Sequence, residues 1–494
     1  MTTELLEYAR QLAEDQKHDQ AYVLADKMLK ESPESAEWLT LMSYLMLDTK
    51  KPIVAYSFAK NAVAANPRYA SAWLNLGMAC RDMRRDEEAI RYGKRGLKFA
   101  ASDLQRSMFC VNIASSLIDR GEFDKARKYC EDSLKYNSDS EKAVMNLSFC
   151  QLATREWEEG WKNYRTVIGH DWRPYYDYGG ELWDGKSKGH IVISGEQGIG
   201  DQISFASMLP DLIDWADKNG SKVTLDVTPK IAGVLQRSLP DIDVHSTLGA
   251  NGNPWNEGTD YALPMAQLGE YFRTKDSDFP GKPYLKADPE RVLQWKALFN
   301  SKNKPVIGVA WSGGIPETGS KFRRLTLDTL LPVFESVDAY WVSLQYKPAK
   351  REIEKFEAEH GIHIAEYPHA TLTDDYDDTV AMVAALDAVV AMHTSVCHVA
   401  GGLGVPCLTL VPKNSQWRYG ASGEDFVWAN SLKLIRQENR NDWTSALERT
   451  AEELNALFGS VPKATAEPSR KGKLRGNRPK VRSTRKRHRR QTGS

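Results

Sequence analysis

No apolar run in this chain approaches the roughly 20 residues that a bilayer-crossing helix needs, so a helical membrane span is not expected. Cysteine is scarce. The six residues Cys80, Cys110, Cys130, Cys150, Cys397 and Cys407 show no C-x-x-C pair and no Cys/His spacing of a metal centre. This thin usage argues against a disulfide scaffold and suits thiols that act as small core residues in a reducing compartment. The start, Met1-Thr2-Thr3-Glu4-Leu5-Leu6-Glu7, is acidic and amphipathic, unlike a secretory signal. A soluble, cytoplasmic protein is the expectation. Also missing is a phosphate loop ending in Gly-Lys-Ser/Thr, and no convincing Gly-x-Gly-x-x-Gly dinucleotide fingerprint takes its place.

What the chain does have is length and apolar content. Its 494 residues exceed one ordinary core, and 41% are hydrophobic, with 14 Trp and 20 Tyr, so two or three folded domains are expected. The formal net charge of zero conceals an asymmetry. Residues 470–494 hold 12 Lys or Arg and no acid, which leaves 54 basic against 66 acidic residues in 1–469. Low hydrophobicity and one sign of charge predict a disordered basic tail over 460–494. Such a tail suits sequence-independent, salt-sensitive contact with nucleic acid through 470–494. A solubility tail, or one that folds back on the acidic body, are the alternatives.

The N-terminal third repeats. Small residues recur at Ala21, Ala55 and Ala89, each 34 apart, then at Ala126 and Gly160, again 34 apart. Twelve positions before each lies another: Ala9, Ser43, Gly77, Ala114 and Ser148. Pro33 and Pro67 sit twelve positions after the first two, in turns. A 34-residue period with these features is the tetratricopeptide pattern of paired helices, each pair burying its apolar face on the next. Trp73-Leu74-Asn75-Leu76-Gly77 is its best single match. The solenoid is assigned to 1–168, with a peptide or partner expected in its concave groove, and Cys110, Cys130 and Cys150 are read as packing.

Beyond the repeats, strands alternate with amphipathic helices, which predicts parallel sheets. The first half (169–285) reads as strand 191–194, helix 201–219, strand 222–227, helix 230–238 and strand 240–244, with a loop at 251–258. The second half (286–459) reads as strand 305–311, helix 327–336, strand 340–344, helix 350–360, strand 362–364, helix 377–386, strand 388–392, helix 396–402 and strand 407–411. Two such halves place a ligand crevice at the carboxyl ends of their strands.

The stretch that organises the rest is Ser194-Gly195-Glu196-Gln197-Gly198-Ile199-Gly200-Asp201, a strand, a glycine-containing turn and a helix start. Asp201 is placed either to cap that helix or to take a proton from a bound substrate. Opposite it, the second half offers Trp311-Ser312-Gly313-Gly314 and His393-Thr394-Ser395. The latter turn would hold a pyrophosphate on its free N–H groups or simply cap its own helix. Arg323 and Arg324 would supply counter-charge or form an ordinary solvated pair, and His398 would face the ligand or pack.

At these residues the sequence resembles tetratricopeptide-repeat glycosyltransferases with a two-domain GT-B fold. It is similar to the ADP-heptose:lipopolysaccharide heptosyltransferases and more distantly to the protein O-GlcNAc transferases. The matching segments are Glu159-Gly160-Trp161…Tyr164-Arg165, Trp183-Asp184-Gly185, and Gly195–Asp201 with Phe205-Ala206. In the second half Trp311, Arg323, Gln345, Asp378-Thr379…Ala384-Ala385-Leu386-Asp387 and Thr394-Ser395-Val396…His398…Ala400-Gly401-Gly402-Leu403-Gly404…Pro406 match. The resemblance implies a nucleotide-sugar donor held by Gly198, Gly200, Trp311, Ser312, Arg323, Gln345, His393, Thr394, Ser395 and His398. It makes Asp201 the candidate general base, with no metal requirement and no cofactor besides the donor. His393 and Arg324 depart from the family's usual Asp and Ser. The implied reaction is transfer of a sugar to an acceptor hydroxyl, first on a polypeptide held by the repeats. The alternatives are a hydroxymethylated base in viral DNA gripped by the tail, and a non-catalytic scaffold.

Overall fold

The computed structural model describes residues 2–170, 173–248, 258–314 and 324–459. The expected basic tail from 460 onward and all but the end of the expected 251–258 loop lie outside these residues, as does Arg323.

Ten helices form the first third: α1 (Thr2–Glu14), α2 (His18–Glu31), α3 (Ala36–Asp48), α4 (Pro52–Ala65), α5 (Ala70–Asp82), α6 (Asp86–Leu97), α7 (Asp103–Ile118), α8 (Phe123–Tyr136), α9 (Glu141–Ala153) and α10 (Trp157–Arg165). Starts are marked locally. Ser35 and Ser102 accept the N–H of Trp38 and Gln105, and Pro52 opens α4, where its missing N–H costs nothing. Every small residue of the 34-residue pattern is buried where two helices cross. Ser43, for example, donates its hydroxyl to the Ala55 carbonyl across the α3–α4 pair at 2.9 Å.

The period is also written into the backbone. Gln16, Lys50, Arg84, Gly121 and Arg155 take positive φ of 60°, 59°, 60°, 72° and 64° in the turns between paired helices. Only the fourth is glycine. A Cβ there would lie 2.3 Å from the Lys413 carbonyl oxygen, because the second sheet's loops pack on this turn.

The remainder contains two parallel sheets. The first comprises β1 (Glu181–Leu182), β2 (His190–Ser194), β3 (Lys222–Asp226), β4 (Asp243–His245) and β5 (Tyr261–Pro264), in the order β1-β5-β2-β3-β4. Its helices are α11 (Ile199–Ala206), α12 (Leu209–Asn219), α13 (Pro229–Ser238) and the single turn α14 (Gly269–Phe272). The link to the second sheet ends in α15 (Pro289–Asn300). The second sheet comprises β6 (Val306–Ala310), β7 (Tyr340–Ser343), β8 (Ile364–Ala365), β9 (Ala388–Met392), β10 (Cys407–Val411) and β11 (Leu432–Arg436). Around it lie α16 (Leu331–Phe334), α17 (Lys350–His360), α18 (Pro368–Thr371), α19 (Tyr376–Ala384), α20 (Ser395–Leu403) and α21 (Thr444–Phe458). The order β11-β10-β9-β6-β7-β8 is, counted from β6, the doubly wound 3-2-1-4-5-6 arrangement.

Four sequence expectations need correction. The helix expected over 201–219 is two, α11 and α12, because Pro210 lacks an N–H and its ring clashes with the preceding turn. The strand expected at 240–244 is shifted to Asp243–His245, and the helix expected at 327–336 shrinks to a 3-10 turn followed by α16. The stretch before 191, where the sequence reading places no strand, contributes β1. A fifth strand, β5, pairs with the central β2 and has no clear sequence signal, since it is four residues long and ends in Pro264.

The turn at Gly121 tests how the repeats meet the second sheet. Gly121→Ala combines left-handed strain with a clash against backbone, at a cost of about 2–4 kcal/mol in thermal unfolding. Gln16→Gly, in the equivalent turn of the first pair, should change stability by less than about 1 kcal/mol.

Candidate functional site

In doubly wound sheets ligands sit where the strand order reverses, outside the carboxyl ends of the two strands at that point. In the second sheet this is between β6 and β9, which feed the 311–314 loop and the 393–395 turn. In the first it is between β2 and β5, which feed the 194–198 loop and Pro264-Met265. The two reversal points meet. Helix α11 packs on α20, and a Cβ on Gly200 would lie 3.1 Å from both the Ser395 Cα and the His398 Cδ2. Glycine at 200 therefore sets how closely the two helix starts approach.

The 194–201 loop is held from behind by a buried network. Glu196, 5% exposed, accepts from the Nε and Nη2 of Arg173, itself 0% exposed, at 2.9 and 3.1 Å. The Ala266 N–H donates to Glu196 at 2.8 Å, and Arg173 also donates to the Tyr164 carbonyl and to Gln267. Its guanidinium lies 3.8 Å from the Tyr164 ring centroid. Gln197, at φ 60°, donates to the Tyr164 hydroxyl at 2.6 Å. Burial pushes the Tyr164 phenol well above its ordinary value, so the hydroxyl stays protonated. The sequence marks the loop but not Arg173, which lies in a connector with no recognisable pattern.

Asp201 caps and pairs at once. One carboxylate oxygen accepts the Gly198 N–H at 3.1 Å, closing the start of α11. The other is in an ion pair with Arg418, which belongs to the second half and is 5% exposed. Arg418 also donates to Gln416 at 2.7 Å and lies over the rings of Phe205 and Trp417 at 5.6 and 5.4 Å. Its Nε, buried, has no hydrogen-bond partner. These rings belong to an aromatic cluster, with Trp161 and Trp428, that joins α10, α11 and the 417–428 segment.

The second half contributes the rest. Thr394 precedes α20 with no side-chain cap, and its hydroxyl is buried without a partner. Ser395 begins the helix, half-buried. His398, 6% exposed, pairs its Nε2 with the Tyr419 hydroxyl at 3.0 Å, while its Nδ1 is unpartnered. Burial and the charge of Arg418 push its imidazole down to about 3, so the ring is neutral. His393 is 2% exposed and meets the Tyr419 ring edge-on at 5.1 Å. A Cβ on Gly313 would run into the Thr394 methyl, so the 311–314 loop comes to the same place.

Two candidates serve the loop's shape. Gln345, 5% exposed, donates to the Ser312 hydroxyl at 2.6 Å and accepts its N–H at 3.4 Å. Trp311 is 1% exposed and packs within the core of the second sheet, directly before the 312–314 loop. Arg324 bridges to Ser312 and borders a separate cavity of about 550 Å³ with Asn414, Gln437, Arg440 and Trp443.

A second concavity lies on the repeats. A groove of about 610 Å³ is lined by residues of α1, α3, α5 and α7, among them Arg10, Glu37, Tyr44, Asn75 and Met108, with Tyr69 just before α5. Tyr44 is 37% and Met108 42% exposed, so the groove offers apolar surface between polar groups. The next helix in that row, α9, packs against 417–419, the segment that carries Arg418.

The tetratricopeptide repeat model matches residues 70–103 and 109–140, which are α5–α6 and α7–α8. The chain is 26% identical over 449 residues to Protein FlbA of Caulobacter vibrioides, spanning 87% of this chain and 74% of that protein. Among solved structures it is similar to TTC0263, a thermophilic TPR protein of Thermus thermophilus, with 20% identity, TM-score 0.31, and coverage of 35% of this chain and 92% of that one. YrrB, a TPR protein with an unusual peptide-binding site, matches with 15% identity, TM-score 0.28, and coverage of 33% and 83%. No helix among the described residues is long and apolar enough to cross a membrane.

Two measurements test the site's frame. Arg173→Met strands the Glu196 carboxylate in the interior and should cost about 3–5 kcal/mol, with part regained in Arg173→Met/Glu196→Gln. Because the His398 value is lowered by folding, acid favours the unfolded chain: its effect is nil above about pH 6.5 and grows as pH falls toward 3. His398→Gln should remove up to about 1.4 kcal/mol per pH unit of acid sensitivity in that window. In NMR the His398 ring should show no titration between pH 8 and 5.

Proposed function

We propose that this tetratricopeptide-repeat protein is a glycosyltransferase of the two-domain GT-B type. It moves a sugar from a nucleotide-diphosphate donor to a hydroxyl of a polypeptide held by its repeats. The observation that carries the reading is the meeting of the two strand-order reversals at Gly200 and Ser395, with the uncapped start of α20 beside the turn that carries Asp201. An uncapped helix start presents N–H groups and a partial positive charge, which suit a diphosphate. In the reaction the acceptor hydroxyl gives its proton to Asp201 as its oxygen attacks the anomeric carbon. The bond from that carbon to the donor's phosphate oxygen breaks, and the diphosphate departs with the electron pair onto the N–H groups of α20 and onto Arg323. The resemblance in 159–406 supports these roles, and the placement of α9 beside 417–419 supports delivery of a chain from the groove to the crevice.

A scaffold without catalysis is the second reading, favoured by one observation: Asp201 is already committed to the Gly198 N–H and to Arg418. Transfer to DNA would call on 470–494, outside the described residues.

The test is incubation with a panel of nucleotide-diphosphate sugars and either protein extract or hydroxymethylated DNA, following nucleotide release and acceptor mass. Sugar-dependent release with a mass gain on protein is expected, and Asp201→Asn should lower turnover by about 10²–10⁴-fold. Release with a gain on DNA moves the acceptor to nucleic acid. Capture of peptides by the groove without turnover for any donor favours the scaffold.

A further inference from the structure

Arg418 has one charge and two claims on it. Its Nη2 pairs with Asp201 across the two halves, yet its Nε is buried without a partner, and it sits close enough to His398 on α20 to depress that imidazole. A Cβ on Gly200 would lie 3.1 Å from the Ser395 Cα, so the turn that carries Asp201, one residue further on, stands at the same helix start that would receive a diphosphate. A guanidinium takes carboxylate and phosphate with the same forked geometry. Held among Phe205, Trp417 and Gln416, this one cannot retreat into solvent when a second anion arrives.

We propose that Arg418 exchanges partners. Without donor it neutralises Asp201 and locks the two halves together. With a diphosphate at the start of α20 it turns to the phosphate and releases the Asp201 carboxylate, which then accepts the acceptor's proton. This inference rests on the glycosyl-transfer reading of the crevice and adds an order to it: the base is freed only after the donor is bound. The exchange is the reason a carboxylate needed as a base is found in an ion pair. It also protects a donor-free crevice from an idle charge, since an unpaired carboxylate at the joint of two packed helices would be costly.

The prediction is a reciprocal one. If Asp201 and the diphosphate compete for Arg418, removing the carboxylate must strengthen diphosphate binding. Calorimetric titration of the full chain with ADP, GDP, UDP and inorganic pyrophosphate reads this directly. Asp201→Asn should bind the preferred probe about 5- to 20-fold more tightly than the wild type, and Arg418→Met about ten-fold or more weakly. In Asp201→Asn/Arg418→Met the gain from the asparagine should vanish, because no guanidinium remains to be shared. Arg418→Lys, which keeps the charge but not the fork, should fall between.

Thermal unfolding of each variant shows whether it is folded. If Arg418→Met is not, Arg418→Lys and Asp201→Asn/Arg418→Lys take the place of the methionine variants, and the gain from the asparagine should then be reduced. Binding by the wild type with no tightening in Asp201→Asn overturns the exchange and leaves the glycosyl-transfer reading standing. Absence of binding by the wild type and by Asp201→Asn, for every probe, overturns both. Tightening that persists in the double variant also overturns the exchange, since it would come from lost repulsion and not from Arg418.

Discussion

The buried pair of Arg173 and Glu196 is the constraint on which the rest of the site depends. Each charge is buried, and each is satisfied by further bonds to Tyr164, Gln267 and the Ala266 N–H. A pair of this kind stabilises little by itself, because desolvation offsets attraction. What it fixes is geometry. It ties the last helix of the repeats, the first sheet and the 194–201 loop to one another, so that Gly198, Gly200 and Asp201 are presented from a rigid base.

From that base the two halves face each other. The first supplies a carboxylate on α11, and the second supplies the open start of α20, Thr394, His398 and Arg418. The aromatic cluster around Trp161, Trp417 and Trp428 fills the space behind them and excludes water from the Arg418 side chain. Low local polarity strengthens every charge interaction that remains. The repeats join the same construction: α9 meets 417–419, and the Gly121 turn accepts the Lys413 carbonyl at close range. Groove and crevice are thereby parts of one packed unit.

Much of this architecture is legible in the sequence where local physics decides. Strand β9 is a continuous apolar run and β10 is broken only by the buried Thr409, the signature of strands buried on both faces. The 34-residue rhythm of small residues marks helix crossings whatever the rest of each helix contains. Legibility fails where distant residues decide. Short β5, four residues ending in Pro264, is too brief to announce itself, yet it flanks the central strand. Pro210 sits inside a helical pattern that it breaks. In the site, Asp201 and the 393–398 turn stand out because turns before helices are recognisable. Arg173 and Arg418 do not, because each is defined by a partner far away in the chain. Trp311 reads as a ligand contact because it ends a strand at the crevice, but the same position is also the last layer of the core.

In the function we propose, the starts of α11 and α20 form one anion-binding crevice. Hydrogen–deuterium exchange of the full chain, with and without saturating nucleotide diphosphate, tests it most directly. Slower exchange is expected at the N–H groups of 198–203 and 395–399 together, with the repeat groove unchanged. Protection confined to the groove, or to the cavity around Trp443, would contradict it.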